Sequence, residues 1–271
     1  MNDFTHTTLG RTGLHVHRLG LSASYWPGRK AIYRALDRGV NYFFLYGFDL
    51  QMARVIRDLP PADRERCVVA TGAYNYIVTR QNLEGTLHKR LRQLRTDHID
   101  VFLFLGIMKG SEFPEAVRDE LLRLRETGKA RHVGVSIHDR KFAGRLAAEG
   151  DLDVLMIRYN AAHRGAERDV FPHVREHDPG IVSYTATRWR RLLHRPRGWP
   201  RDGFRPTAGQ AYRFVLSNPH VHLCMTAPSN MEQLEENLAA LDDGPLSETE
   251  MARVREFGDV VRERRGWFMG G

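Results

Sequence analysis

Cysteine is nearly absent: Cys67 and Cys224 are the only two in 271 residues. Each sits inside an apolar run. A disulfide framework is thereby excluded, and two buried, reduced thiols in a cytoplasmic protein are expected. Long hydrophobic runs are also missing. The longest, around residues 101–105, is the size of a strand, far from the ~20 apolar residues that span a bilayer. No signal-peptide pattern opens the chain, so no membrane association is expected. No low-complexity stretch or Pro/Gly/Ser-rich linker divides the sequence, which leaves residues 1–271 as one domain. Metal-ligand patterns are wanting as well. His15 and His17, and His220 and His222, are spaced i, i+2, but neither pair has a third ligand nearby, so no metal site is expected.

Acidic residues fall short of basic ones, 33 against 41, for a net charge of +8. Much of the arginine is spread over amphipathic segments, where charge means a solvated face. One cluster is denser: Arg188-Trp189-Arg190-Arg191, then Arg195, Arg197 and Arg201. Basic residues with interleaved aromatics suit nucleic acid. They suit the phosphates of a small cofactor equally well.

What is present is a regular alternation. A hairpin around Gly13 opens the chain. Short apolar runs follow at residues 19–22, 41–45, 67–71, 99–105, 132–137, 154–159, 181–185 and 221–225. Helical patterns stand between them at 27–37, 49–58, 83–94, 117–124, 142–148, 170–177 and 208–216, with a last amphipathic helix through Met251, Val254, Phe257 and Val261. The runs are continuously apolar rather than alternating, as in parallel strands buried on both faces. Eight such units predict an α/β (β/α)8 TIM barrel with an N-terminal β-hairpin and a C-terminal extra helix. A doubly wound sheet is disfavoured because no Gly-rich dinucleotide turn follows the first strand.

In a barrel, chemistry gathers on loops after the strand C-termini. Those loops carry Tyr25 and Trp26, Tyr74 and Tyr76, Lys109, His138 and Asp139, Asn160 and His163, and Tyr184 through Arg188. A histidine near neutral pKa is the common acid–base choice, which marks His138. Asp139 reads more simply as a helix cap. The aromatics are pocket walls or rim packing in equal measure. The segment Thr226-Ala227-Pro228-Ser229-Asn230-Met231-Glu232-Gln233 reads as strand, tight turn and helix start. Ser229 or Asn230 is a cap there, and the free N–H groups beside it suit a phosphate.

Several pieces, in order, resemble the aldo-keto reductases over nearly the whole chain. They are Leu9-Gly10-Arg11-Thr12-Gly13-Leu14, Ala35-Leu36-Asp37-Arg38-Gly39-Val40-Asn41, Leu94-Arg95-Thr96-Asp97-His98-Ile99-Asp100, Gly128-Lys129-Ala130-Arg131-His132-Val133-Gly134-Val135-Ser136, Tyr159-Asn160, and the turn from Ser229 to Asn237. The resemblance implies NADP(H) as cofactor and a small-molecule carbonyl or alcohol as substrate. Its 2′-phosphate site would be Ser229, Asn230, Gln233, Glu236 and Asn237. Ser136 would hold the carboxamide and Tyr184 would stack on the nicotinamide. Thr185 and Arg188 would lie beside the pyrophosphate, a placement that favours a cofactor clamp over a nucleic-acid partner.

The same resemblance implies a damaged centre. The family's Asp, Lys and His of the catalytic tetrad fall on Phe44, Gly72 and Leu105, and two carboxamide ligands fall on Ile137 and Met156. Only the tyrosine has a counterpart, Tyr46, with His138 as helper. A tyrosine of pKa about 10 is a poor acid without a cation beside it. The expectation is an NADP(H)-binding oxidoreductase with a remodelled active site. The alternative is a barrel that has lost redox catalysis and binds a cofactor or partner, or a non-redox lyase or isomerase.

Overall fold

The computed structural model describes residues 4–45, 50–75 and 81–263. Its strands are β1 (His6–Thr8), β2 (His15–His17), β3 (Leu19–Ser22), β4 (Tyr42–Phe44), β5 (Val68–Tyr74), β6 (Ile99–Ile107), β7 (Ala130–Ile137), β8 (Val154–Arg158), β9 (Gly180–Tyr184) and β10 (Leu223–Thr226). Its α-helices are α1 (Arg29–Asp37), α2 (Leu50–Arg57), α3 (Pro61–Arg66), α4 (Leu83–Leu94), α5 (Glu115–Glu126), α6 (Arg140–Glu149), α7 (Ala166–Asp169), α8 (Ala208–Leu216), α9 (Met231–Ala239) and α10 (Glu248–Glu263). Strands β3 to β10 close into an eight-stranded barrel, every neighbouring pair parallel, with β10 completing the ring against β3.

The continuous apolar runs are explained by two separate layers of burial. Inward side chains form one cluster: Tyr42, Phe44, Val68, Ala70, Val101, Leu103, Leu105, Val154, Met156, Val182, Leu223 and Met225. Their outward neighbours, such as Phe102, Phe104, Val133 and Val135, pack under the helices. Alternation along each strand thus feeds both layers. Phe102 and Phe104 are fully buried, and each such side chain contributes about 1.5–3 kcal/mol.

The hairpin of β1 and β2 closes the N-terminal end of the barrel, since its Leu9 and Val16 join the inner cluster. Two buried aspartates hold the strand starts at that end. Asp100 accepts from Val69 N at 2.8 Å, and Asp153 accepts from Val133 N at 3.0 Å. Arginines neutralise both: Arg131 reaches Asp100, and Arg11 and Arg125 reach Asp153.

Local sequence sets the helix ends. Asn82 caps α4, Asp139 caps α6 and Asn230 caps α9. Thr207 and Gln210 exchange capping bonds at 3.1 Å each, opening α8. On α4, Leu83, Leu87, Leu91 and Leu94 form one buried face, the i, i+4 stripe expected of a helix lying on a sheet.

Two expectations about elements change, and one short helix is added. Residues 170–177 do not form one helix. α7 ends at Asp169, and a 3-10 turn spans Phe171–His173, because Pro172 sits where a continuing helix would need its N–H. Pro61 opens α3, at the helix start where its missing N–H costs nothing. Strand β5 runs to Tyr74, beyond the apolar run that marked it. Among the described residues, no helix is long and apolar enough to cross a membrane.

Candidate active site

The C-terminal mouth of the barrel is set by strand parity. In β8, Val154 and Met156 face the axis, so Arg158 does too. In β9, Val182 faces inward and Tyr184 follows it to the rim. Ser136 pairs in register with Leu105 on one side and Met156 on the other. His138 comes just after β7, its N–H bonded to Ile107 O at 2.8 Å. Four polar side chains from three adjacent strands therefore converge on a mouth whose remaining inner wall is apolar.

The geometry of that cluster fixes its protons. Arg158 Nη2 donates to His138 Nδ1 at 2.7 Å. A guanidinium only donates, so Nδ1 accepts and the neutral ring carries its proton on Nε2. Tyr184 Oη lies 3.2 Å from Nε2 and 3.3 Å from Nδ1. Nearly equidistant from the two nitrogens, the phenol oxygen lies well off the Nε2–H direction, so the imidazole packs against it rather than donating to it. The two rings meet edge to face at 5.7 Å, and Trp189 lies over the Arg158 guanidinium at 5.9 Å.

Electrostatics follow from burial. Desolvation, then the Arg158 charge, push the His138 pKa down to about 4. Desolvation pushes Tyr184 up to about 12, against the Arg158 charge and hydrogen bonds from Arg158 and Ser136. Tyr184 thus keeps its proton throughout the physiological range, and two donors, Arg158 and Ser136, point at the oxygen that would bear charge once it left.

The depressed histidine has a consequence for stability. As pH falls below 6.5, the unfolded chain takes up the His138 proton before the folded one does. Stability from this group is complete above 6.5 and is lost progressively down to about 4. Thermal melts of the wild type are expected to fall more steeply across that window than those of His138→Gln. Equal slopes would remove the buried neutral imidazole from the account.

The other predicted residues lie elsewhere on the rim. At the start of α9, Ser229 is exposed; its N–H and Oγ bond Gln233 Oε1 at 3.0 and 3.1 Å, and Asn230 accepts from Gln233 N. Glu236 is exposed, whereas Asn237 is buried and bonds Thr226 Oγ1 at 3.0 Å. Thr185 stands at φ +60° and Arg188 at +51°. Arg188 is buried, with Nη1 donating to Val261 O in α10, so in this structure it secures the C-terminal helix. Asp139 is a cap, Lys109 is exposed, and His163 is buried in a turn with Asn160. Tyr46 and Tyr76 lie outside the described residues.

Sequence reasoning passed over Arg158. Its signal was the parity of 154, 156 and 158, which puts a cation at the inward end of an otherwise apolar strand. Among the described residues, no group of acidic, histidine or cysteine side chains could hold a metal.

With this geometry established, comparison with known proteins is direct. The model of the aldo/keto reductase family matches residues 29–190, more than half of the sequence. The chain belongs to the aldo/keto reductase family. It is similar to an uncharacterized oxidoreductase, YrpG, of Bacillus subtilis (strain 168), at 25% identity over 305 residues, covering 88% of this chain and 91% of that protein. It is also similar in fold to the aldo-keto reductase AKR11C1 from Bacillus halodurans. For the holo form the TM-score is 0.76 at 20% identity, covering 93% of this chain and 96% of that one. For the apo form the TM-score is 0.72 at 21% identity, covering 93% and 95%.

Within this aldo/keto reductase, the three positions assigned by resemblance to Asp, Lys and His occupy the inner wall. Phe44 and Leu105 are buried members of the inner cluster. A side chain at Gly72 would collide with the Leu103 carbonyl oxygen and come within 2.9 Å of Leu105 Cγ. The backbone is closed there, so a lysine is excluded by shape as well as by sequence.

Proposed function

We propose that this chain is an NADP(H)-dependent oxidoreductase with a remodelled active site, in which Tyr184 passes the proton to or from a small carbonyl or alcohol substrate. The observation that carries the reading is the convergence of Arg158 and Ser136 on Tyr184 Oη, with the His138 ring packed edge to face against the phenol. A phenol whose oxygen accepts hydrogen bonds has its own O–H free to donate outward. An alkoxide forming at the mouth is more basic than phenolate, so transfer from Tyr184 runs downhill even with its pKa near 12. Arg158 supplies the cation that the closed Gly72 backbone cannot present, and it stabilises the phenolate as it forms. His138, neutral and tautomerically fixed, orients the phenol.

Family membership and the oxidoreductase name of the YrpG relative support this class, as does the holo form of AKR11C1. When bound, the dinucleotide would supply or accept the hydride. The residues present fit it. The Ser136 hydroxyl and the Tyr184 ring stand at the mouth, and Ser229 and Asn230 open an exposed helix start. There, among the described residues, the Met231 and Glu232 N–H groups have no partner. Such a helix start attracts a phosphate. The stretch 226–240 contains no Lys or Arg, however, and it carries Glu232, Glu235 and Glu236.

The test is a fluorescence titration with NADPH and with NADH. Charge-assisted contacts to a 2′-phosphate are worth about 1.5–3 kcal/mol, and without a cation the lower figure applies. NADPH is expected to bind about tenfold more tightly than NADH. Binding of neither would overturn the redox reading and leave the lyase or isomerase alternative. NADPH binding with no turnover of any carbonyl would leave a cofactor-binding barrel without catalysis.

A further inference from the structure

At the opposite end of the barrel, beside the N-termini of β5, β6 and β7, lies a cavity of about 220 Å³ that the proposed reaction does not use. Four arginines line it, Arg57, Arg64, Arg95 and Arg131, against two acids, Glu65 and Asp100. The balance is a surplus of positive charge, and it is unevenly met. Arg57 is held by Asp58 at 2.7 and 3.0 Å, and Arg131 by Asp100 at 3.2 Å. Arg64 and Arg95 have no carboxylate partner among the described residues. Arg64 Nη1 donates to Cys67 O at 3.3 Å, while its Nη2 is buried with no acceptor among the described residues.

Two guanidinium groups whose charge no carboxylate meets, one of them the exposed Arg95, therefore border the same hollow. We propose that this cavity binds the phosphate group of a small phosphomonoester, with Arg64 and Arg95 as its ligands. Guanidinium forks match phosphate oxygens in geometry as well as charge. The space is large enough for a phosphate carrying a short polyol or sugar. No Phe, Tyr or Trp lines the cavity, and His98 is the one ring among its lining residues, so a strand of successively stacked bases is disfavoured. The Cys67 thiol at its edge is pushed up to about 11, chiefly by burial, and is not a reactive group. A ligand here sits at the strand starts, far from the strand ends that carry Tyr184. It would stabilise the barrel by binding the folded state alone.

Isothermal calorimetry with glycerol 3-phosphate, inorganic phosphate and acetate tests the assignment. The wild type is expected to bind glycerol 3-phosphate saturably, inorganic phosphate more weakly and acetate not at all. Arg95→Gln and Arg64→Gln are each expected to weaken binding about tenfold, with NADPH affinity unchanged in both. The Arg95 side chain is exposed, so its variant remains informative even if Arg64→Gln destabilises the fold. Absence of saturable phosphate binding overturns the proposal. So does wild-type affinity in Arg95→Gln, or competition between glycerol 3-phosphate and NADPH, which would place the ion in the cofactor site. Failure of NADPH binding leaves this result untouched, because it depends on the arginine variants alone.

Discussion

Tyr184→Phe is expected to reduce kcat by about two to four orders of magnitude, the usual contribution of a positioned general acid, while leaving dinucleotide affinity nearly unchanged. The substitution separates two roles for one side chain. As a platform for a nicotinamide ring, tyrosine and phenylalanine are equivalent, since both offer the same aromatic face. As a proton donor they are not. Only the hydroxyl receives the His138 contact at 3.2 Å and the bonds from Arg158 and Ser136. Steady-state kinetics on a carbonyl substrate, paired with the fluorescence titration, gives both quantities. A Phe variant with full turnover would return Tyr184 to the stacking role and end the proposal for the proton path.

The barrel was legible because its strands are continuous apolar runs and its longer helices have a one-sided stripe. Both patterns come from burial, which acts on every residue of the element and leaves a redundant record. Leu83, Leu87, Leu91 and Leu94 mark α4 so plainly that its span, Leu83–Leu94, matches the reading. Where one residue decides the backbone, the record is thin: Pro172 stops α7 from running on, and a 3-10 turn at Phe171–His173 stands where a helix at 170–177 was expected.

The site was legible only in part, for the same reason. His138 and Tyr184 were marked one at a time, by residue type and position. Their relation to each other depends on the parallel pairing that brings the ends of β7, β8 and β9 side by side. Arg158 was missed because an arginine ending a strand reads as solvated. Its inward direction follows from parity with Val154 and Met156, a pattern of three residues. Arg188 shows the converse. A dense basic cluster suggested a phosphate clamp, yet the fold draws this arginine inward onto the Val261 carbonyl. Charge density in a sequence does not say which guanidinium the packing will take.

Restoring the family's lysine tests whether this site is a damaged version of the usual one or a different one. Gly72→Lys is expected to destabilise the protein by about 3 kcal/mol or more and to restore no activity to Tyr184→Phe. At Gly72 any Cβ meets the Leu103 carbonyl oxygen, a backbone atom of the paired strand that cannot swing aside. Its next neighbours, Leu103 C and Leu105 Cγ, stand at 2.9 Å. Overpacking in a rigid core costs about 1–3 kcal/mol where side chains can adjust, and here the obstacle is a ladder of main-chain bonds between β5 and β6. Lysine adds the cost of a charge placed beside Leu105, an apolar member of the inner wall. Gly72→Ala separates the two contributions, since it brings the Cβ without the ammonium. If both variants melt well below the wild type, the strand itself has moved away from the family's arrangement, and a cation for the phenol must come from another strand, as Arg158 does. A Gly72→Lys protein as stable as the wild type would show that the backbone is open at this point. The cation of this barrel would then be a matter of one substitution rather than of shape.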